Sequence, residues 1–306
     1  MTFRQMEYIL KIHEEGGMSK AAGKLNVSQP ALTQCVKAIE EELGAEIFLR
    51  KHYPLSLTYA GERLFKTIRE ILRLEKNLHN EISDITKEQV GRLRVGMSML
   101  KGAAFLPDIL PEFEKLHPKI EVSIIEQGSV SLASLVQQDV VDIALLANDE
   151  VSQNQIFMEP ICADSVFLCA GPQSNLYGKF RNGTEVSIRE IENNPLIAIK
   201  EGHGLHVTQS NAFKRLKKLP VIRYEVESAV LGMKLVSSSD AVMLCPYSVF
   251  PVILTPDIHI FPIQEKSISN MMSIGYSHEI YVTRYMKDFI EITKKVIRAT
   301  KNNPAT

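Results

Sequence analysis

The 306-residue chain lacks most features that mark an enzyme, a metal protein, a membrane protein or a secreted one. Its four cysteines, Cys35, Cys162, Cys169 and Cys245, form no C-x-x-C pair and stand near no histidine-rich spacing, which argues against zinc. No apolar run approaches the ~20 residues that span a bilayer. The N-terminus opens directly into an amphipathic pattern (Phe3, Met6, Ile9, Leu10) with acidic residues, unlike a secretory signal. There is no G-x-x-x-x-G-K-[ST], no G-x-S-x-G and no H-E-x-x-H, and Gly202-x-Gly204 lacks the third glycine of a dinucleotide fingerprint. His13, His52, His79, His117, His259 and His278 are scattered rather than clustered. Charge of one sign is missing too, since 35 Lys and Arg face 36 Asp and Glu. These absences predict a cytoplasmic, non-enzymatic protein in a reducing compartment, with no metal or cofactor and no membrane partner.

What is present begins at residues 19–34, which read as two short helices joined by a tight turn, the helix-turn-helix arrangement. Ser19 is placed to cap the first helix and Asn26 to make the turn. Ser28 or Gln29 opens the second helix, with Pro30 in its first turn, where a missing N–H costs nothing. Leu32, Val36, Ile39 and Leu43 form a buried stripe, and Pro30, Thr33, Gln34 and Lys37 fall opposite, a short polar face suited to base edges. The same pattern also describes an ordinary amphipathic helix with a solvated face.

From residue 60 to about 88 runs one long helix. Leu64, Ile68, Ile71, Glu75, Leu78, Ile82 and Ile85 follow a heptad seam broken once by a charge. A second copy of the chain is the simplest partner for it, giving a homodimer or homotetramer; the other reading packs the helix on its own downstream domain.

From Leu93 onward strands and helices alternate, which predicts an α/β region with a parallel sheet. Strands are expected at 93–97, 120–125, 141–146, 166–170, 196–199, 221–226, 241–244 and 273–276. Helices are expected at 103–116, 130–138, 206–216, 229–236 and 284–300, with a Ser187/Glu190 capping box opening another that ends near Asn194. Ligands of such sheets bind beyond the strand carboxyl ends, beside helix N-termini. Ser98, Leu100, Lys101, Ser129, Lys200, His203, Gly204 and Ser228 lie at those junctions, with His206 close by. Cations and helix N-termini there favour a small anion such as a carboxylate.

Phe3, Ala21, Ala22, Leu25, Ser28, Gln29, Pro30, Glu40, Leu43, Gly44, Ile47, Phe48, Arg50, Leu57, Thr58, Ala60 and Gly61 together resemble the N-terminal signature of the LysR-type transcriptional regulators. The match runs in register from Phe3 to Gly61. The second half resembles that family more loosely, through residues 93–96, Leu106, Pro107, Phe113, Pro118, residues 142–144 and residues 242–246. The resemblance implies a winged helix-turn-helix over residues 1–59, with the wing at 50–58 and Pro54 confining it. It implies a linker and dimerisation helix over 60–90 and an effector-binding region over 91–306. That region would be two α/β subdomains like a periplasmic solute-binding protein, hinged by two crossing strands: about 92–163 plus 266–306, and about 164–265.

The implied function is a sequence-specific, DNA-binding transcriptional regulator controlled by a small-molecule effector held between the subdomains. Ser28, Gln29, Pro30, Thr33, Gln34 and Lys37 would meet double-stranded DNA with paired half-sites, and Arg50 and Lys51 would hold flanking phosphates. RNA polymerase is a partner if the protein activates. Residues 1–61 hold seven Lys or Arg against seven Asp or Glu, so groove reading by a spaced dimer is expected rather than a charge coat. Two alternatives remain at this point: a redox sensor acting through Cys162 and Cys169, and a solute-binding α/β protein whose N-terminal helices are a dimerisation arm.

Overall fold

The computed structural model describes residues 1–49, 54–86, 90–147, 156–201, 204–214, 216, 218–265 and 268–302. The chain divides into two compact units, Met1–Thr86 and Lys87–Thr306.

The first unit contains α1 (Phe3–Glu14), α2 (Met18–Leu25), α3 (Gln29–Leu43), β1 (Phe48–Leu49), β2 (Ser56–Leu57) and α4 (Tyr59–Thr86). A capping box between Thr2 and Gln5 opens α1. Ser19 does not cap α2; it lies inside the helix, and Gly17 stands at the cap position without a side-chain bond. Asn26 ends α2 in the left-handed region at φ 53°, which an asparagine tolerates. Ser28 then caps α3, its hydroxyl accepting from the Ala31 N–H at 3.3 Å, and Pro30 occupies the first turn.

Leu32, Val36 and Ile39 are buried with Ile9, Ile12, Ile47, Phe48 and Ile68. Leu43, expected in the same stripe, is 47% exposed. Glu40 is buried instead, because its Oε1 accepts from the Ile47 N–H at 2.8 Å and so satisfies a backbone donor at the end of the helix. β1 and β2 pair antiparallel. Past residues 50–53, Leu55 donates its N–H to the Gly16 carbonyl at 2.9 Å.

Twenty-eight residues make α4 about 42 Å long at 1.5 Å per residue. Its apolar seam is not uniform. Ile68 is fully buried in the unit's own core, and Leu64 and Ile71 pack against that core. Leu74, Leu78, Ile82 and Ile85 are 64%, 56%, 48% and 72% exposed. The free stripe therefore begins below Ile71 and includes Leu74, which the heptad reading left out. Glu75 pairs with His79 at 3.1 Å.

The second unit runs β3 (Gly91–Met97), α5 (Met99–Leu116), β4 (Ile120–Glu126), α6 (Ser129–Gln137), β5 (Ile143–Ala147), β6 (Phe157–Ala170), α7 (Asn175–Lys179), a 3₁₀ turn (Ile188–Asn193), β7 (Leu196–Ile199), α8 (Gly204–Phe213), β8 (Ile222–Val226), α9 (Ala229–Ser238), β9 (Val242–Pro246), α10 (Phe250–Ile253), β10 (His259–Pro262), β11 (Ser269–Tyr276) and α11 (Arg284–Asn302). The strand order is β4-β3-β5-β11-β6-β9-β7-β8, with β10 beside β6.

The outer pairs β3/β4, β3/β5, β7/β8 and β7/β9 are parallel, as the alternation predicts. The centre is antiparallel, which corrects the expectation of one parallel sheet. There β6 is a 14-residue strand pairing first with β11 and then with β9 and β10. It passes from an apolar core under α5 and α11 to two cores in the other half of the unit. Asp142, just before β5, is held by the Arg94 guanidinium at 2.6 Å and by the Arg94 N–H at 2.9 Å.

The Ser187/Glu190 capping box does not form. Ser187 caps the 3₁₀ turn, but Glu190 pairs with Lys179 at 2.9 Å. Glu265 takes the vacant role, accepting from the Ile188 N–H at 2.9 Å and the Ser187 hydroxyl at 2.7 Å. Those bonds outweigh burial and hold the Glu265 carboxyl below its usual range, although burial, the largest single influence, pushes the other way.

Candidate DNA-reading helix and ligand cleft

The polar face of α3 is open. Gln29, Pro30, Gln34 and Lys37 are exposed, and Ser28 is exposed at its cap. Thr33 is half-buried, and its hydroxyl donates to the Gln29 carbonyl at 2.9 Å, leaving it acceptor capacity only. Lys37 lies 3.6 Å from Glu41, both 68% exposed, a contact too solvated to fix either side chain. Arg50 and Lys51 lie outside the described residues. Exposed Lys20 and Lys24 on α2, without an ion pair among the described residues, are further cations of this unit that no motif in the sequence marks.

In the second unit, loops at the strand ends surround a cavity of about 330 Å³. Ser98, Leu100, Lys101, Ser129 and Ser228 all line it, as do Glu126, Asp164, Thr208 and Glu227. Each position follows from a strand-to-helix junction. Ser98 follows β3 and stands at the cap of α5, yet its hydroxyl makes no cap bond. Ser129 opens α6, and its buried Oγ accepts from the Ala147 N–H at 3.1 Å. Ser228 caps α9 through the Leu231 N–H at 3.4 Å. Lys101 is half-buried in the first turn of α5, with no ion pair among the described residues.

The remaining expected residues fall elsewhere. Lys200 does not line the cavity; its ammonium lies 3.0 Å from Glu227, and both side chains are more than half exposed. Gly204 begins α8. His203 lies outside the described residues. Both ring nitrogens of His206 have partners: Nδ1 donates to the Ile199 carbonyl at 2.7 Å, and Nε2 faces the Ser210 hydroxyl at 3.1 Å.

Asp164 carries no sequence signal as a cavity residue, because the pattern of residues 157–165 predicts no strand. It is buried where β6 passes between cores, and it accepts from the Ser248 N–H at 3.0 Å and the Ser248 hydroxyl at 2.5 Å. Glu227 could have been found by extending the Ser228 junction one residue back.

The cysteines give no redox pair of the expected kind. Cys162 and Cys169 both lie on β6, seven residues and so about 23 Å apart along an extended strand. Their direct disulfide is ruled out by that distance. Cys169 instead meets Cys245 in a fully buried core, where burial pushes the Cys169 thiol well above its ordinary range and keeps it protonated.

A helix-turn-helix unit with a two-stranded ribbon, followed by an α/β unit with a ligand-sized cleft, defines a ligand-responsive DNA-binding regulator. Residues 3–62 match the family model described as bacterial regulatory helix-turn-helix protein, lysR family, and residues 86–298 match the LysR substrate binding domain. The chain belongs to the LysR family of DNA-binding transcriptional regulators, with an effector-binding domain. It is 26% identical over 299 residues to the HTH-type transcriptional regulator BsdA of Bacillus subtilis, covering 95% of this chain and 100% of that one. Full-length OxyR from Pseudomonas aeruginosa, a single-residue variant, superposes with a TM-score of 0.73 at 21% identity, over 97% of this chain and 95% of that one. CbnR in complex with its target DNA superposes with a TM-score of 0.60 at 22% identity, over 97% and 100%. The helix-turn-helix match overturns the reading of the N-terminal helices as a mere dimerisation arm.

Proposed function

We propose that each copy lays the N-terminal half of α3 in a DNA major groove, with Gln29, Pro30, Thr33, Gln34 and Lys37 toward the bases. Ser28 and the first-turn N–H groups of α3 would hold phosphate, joined by Lys20, Lys24, Arg50 and Lys51. The observation that carries this is the open polar face of α3, set by the Asn26 turn and the Ser28 cap. The solved CbnR complex with its target DNA supports it. Residues 1–59 act as the DNA-binding domain, 60–90 as the linker and 91–306 as the effector-binding region. Subdomains of about 92–163 plus 266–306 and about 164–265 close on the cleft.

Two copies join through the exposed stripe of Leu74, Leu78, Ile82 and Ile85. Among the described residues no helix is long and apolar enough to cross a membrane. The chain works in the cytoplasm by binding rather than catalysis, and it meets RNA polymerase where it activates. Its effector is a small molecule with a carboxylate, received by Ser98, Lys101, Ser129 and the N-termini of α5 and α6.

The test uses a duplex selected from a random pool by the native protein. Gln34→Ala lowers the preference for that duplex over random DNA by about 1–3 kcal/mol, whereas Lys24→Ala weakens both alike. An unchanged preference in Gln34→Ala would remove this face of α3 from the groove.

A further inference from the structure

The charges in the cleft constrain the ligand beyond its carboxylate; this step rests on the cleft reading above. Lys101 and Glu126 both line the cavity, and neither forms an ion pair or side-chain hydrogen bond among the described residues. Glu126 stands beside the start of α5: its Oε1 would lie 3.9 Å from a Cβ built on Gly102. A lysine and a glutamate thus line one small cavity without pairing with each other. The other two carboxylates of the lining already have partners, Asp164 in Ser248 and Glu227 in Lys200.

Lys101 is half-buried and Glu126 exposed at the end of β4, and a ligand seated against them displaces part of the water of each. A simple carboxylate would satisfy Lys101 and leave Glu126 desolvated beside a further negative charge. A simple amine would do the reverse, and a neutral ligand would leave both charges uncompensated. A ligand carrying both charges close together satisfies the pair. At about 330 Å³ the cavity lies at the small end of ligand pockets, which run from about 300 to 1,000 Å³.

We propose that the cleft takes an α-amino carboxylate, an amino-acid zwitterion. Its carboxylate meets the Ser98 hydroxyl, the Lys101 ammonium and the first N–H groups of α5. Its ammonium meets Glu126.

The experiment is calorimetric titration of the full chain with the proteinogenic amino acids, each beside the matching acid that lacks the amine and the matching amide that lacks the carboxylate. The expected result is binding of at least one amino acid, weakened tenfold or more by removing either charge. Glu126→Gln should weaken that amino acid tenfold or more, and so should Lys101→Gln. Binding of DNA by the unliganded chain should not change, and a native melting temperature shows that the second unit of each variant folds. If the acids without an amine bind as well as the amino acids, or if Glu126→Gln has no effect, the zwitterion is wrong. Binding of no amino acid at millimolar concentration overturns it equally. In the first case, continued sensitivity to Lys101→Gln and Ser98→Ala keeps the cleft as a carboxylate site. A ligand indifferent to all three substitutions would overturn the cleft reading itself.

Discussion

A Cβ added to Gly61 would stand 2.1 Å from the Ile47 carbonyl oxygen, so α4 can start where it does only with a glycine there. Thr58 ties the same junction, accepting from the Gly61 N–H at 2.9 Å and donating to the Glu46 carbonyl at 2.6 Å. Gly61→Ala should therefore lower stability by about 1–3 kcal/mol in urea denaturation of the full chain. Unchanged stability would mean that the backbone yields freely at this point. His13 makes a different prediction. Its ring packs edge-on against Phe65 at 4.7 Å, and its buried Nδ1 has no hydrogen-bond partner among the described residues. Burial first, and then the nearby Arg69 charge, hold its pKa below the ordinary imidazole value, with Glu14 opposing. The unfolded chain therefore takes up the proton more readily than the folded one. The stability contribution is complete above about pH 6.5 and is lost as pH falls below that. His13→Gln should flatten the acid side of a plot of melting temperature against pH, and a curve matching the native one would discount the histidine. Both residues stand plainly in the sequence, but their partners are contacts with distant chain. Glu40 shows the same limit, since periodicity favours Leu43 and only the position of the Ile47 N–H explains why a carboxylate is buried.

At the level of elements, periodicity located most helices and strands and failed where two influences overlap. The seam of α4 is continuous in sequence, yet Ile68 belongs to the unit's own core and Leu78 does not. A stripe of one spacing can serve two surfaces in succession, and spacing does not mark the change. The first half of β6 was illegible for another reason: Pro160 cannot donate to a ladder, and the register there shifts between Met272 and Ser273 to accommodate it. The cleft was legible in part, because Ser98, Ser129 and Ser228 are junction residues of elements that the pattern found. Asp164 was not, lying in the half of β6 that the pattern does not mark. The divided seam makes a sharp prediction. Ile68→Asp should unfold the first unit, because it buries a charge without a partner. Leu78→Asp should leave the melting of that unit nearly unchanged and convert a dimer to a monomer in sedimentation. A Leu78→Asp protein that still sediments as a dimer would move the interface off this stripe.

For the whole molecule, the balance of seven basic and seven acidic residues over residues 1–61 leaves one copy little general attraction to DNA. Affinity then depends on holding two reading helices at once, since the second contact forms at the high effective concentration that the joined copies supply. Each phosphate neutralised adds about −0.9 to the slope of log affinity against log salt, so a dimer engaging two half-sites has roughly twice the slope of a monomer engaging one. The monomeric Leu78→Asp chain should bind a two-half-site duplex with about half the native slope and far lower affinity. On a single half-site its affinity should approach that of the native protein. Gln34→Ala should show the opposite pattern, a native slope with lost discrimination, because it removes a base contact and no phosphate contact. Salt titrations of the three proteins on the two duplexes separate these effects. A monomer that kept the native slope and affinity on the paired site would show that one copy suffices, and α4 would then need another reason to expose four large apolar side chains along its second half.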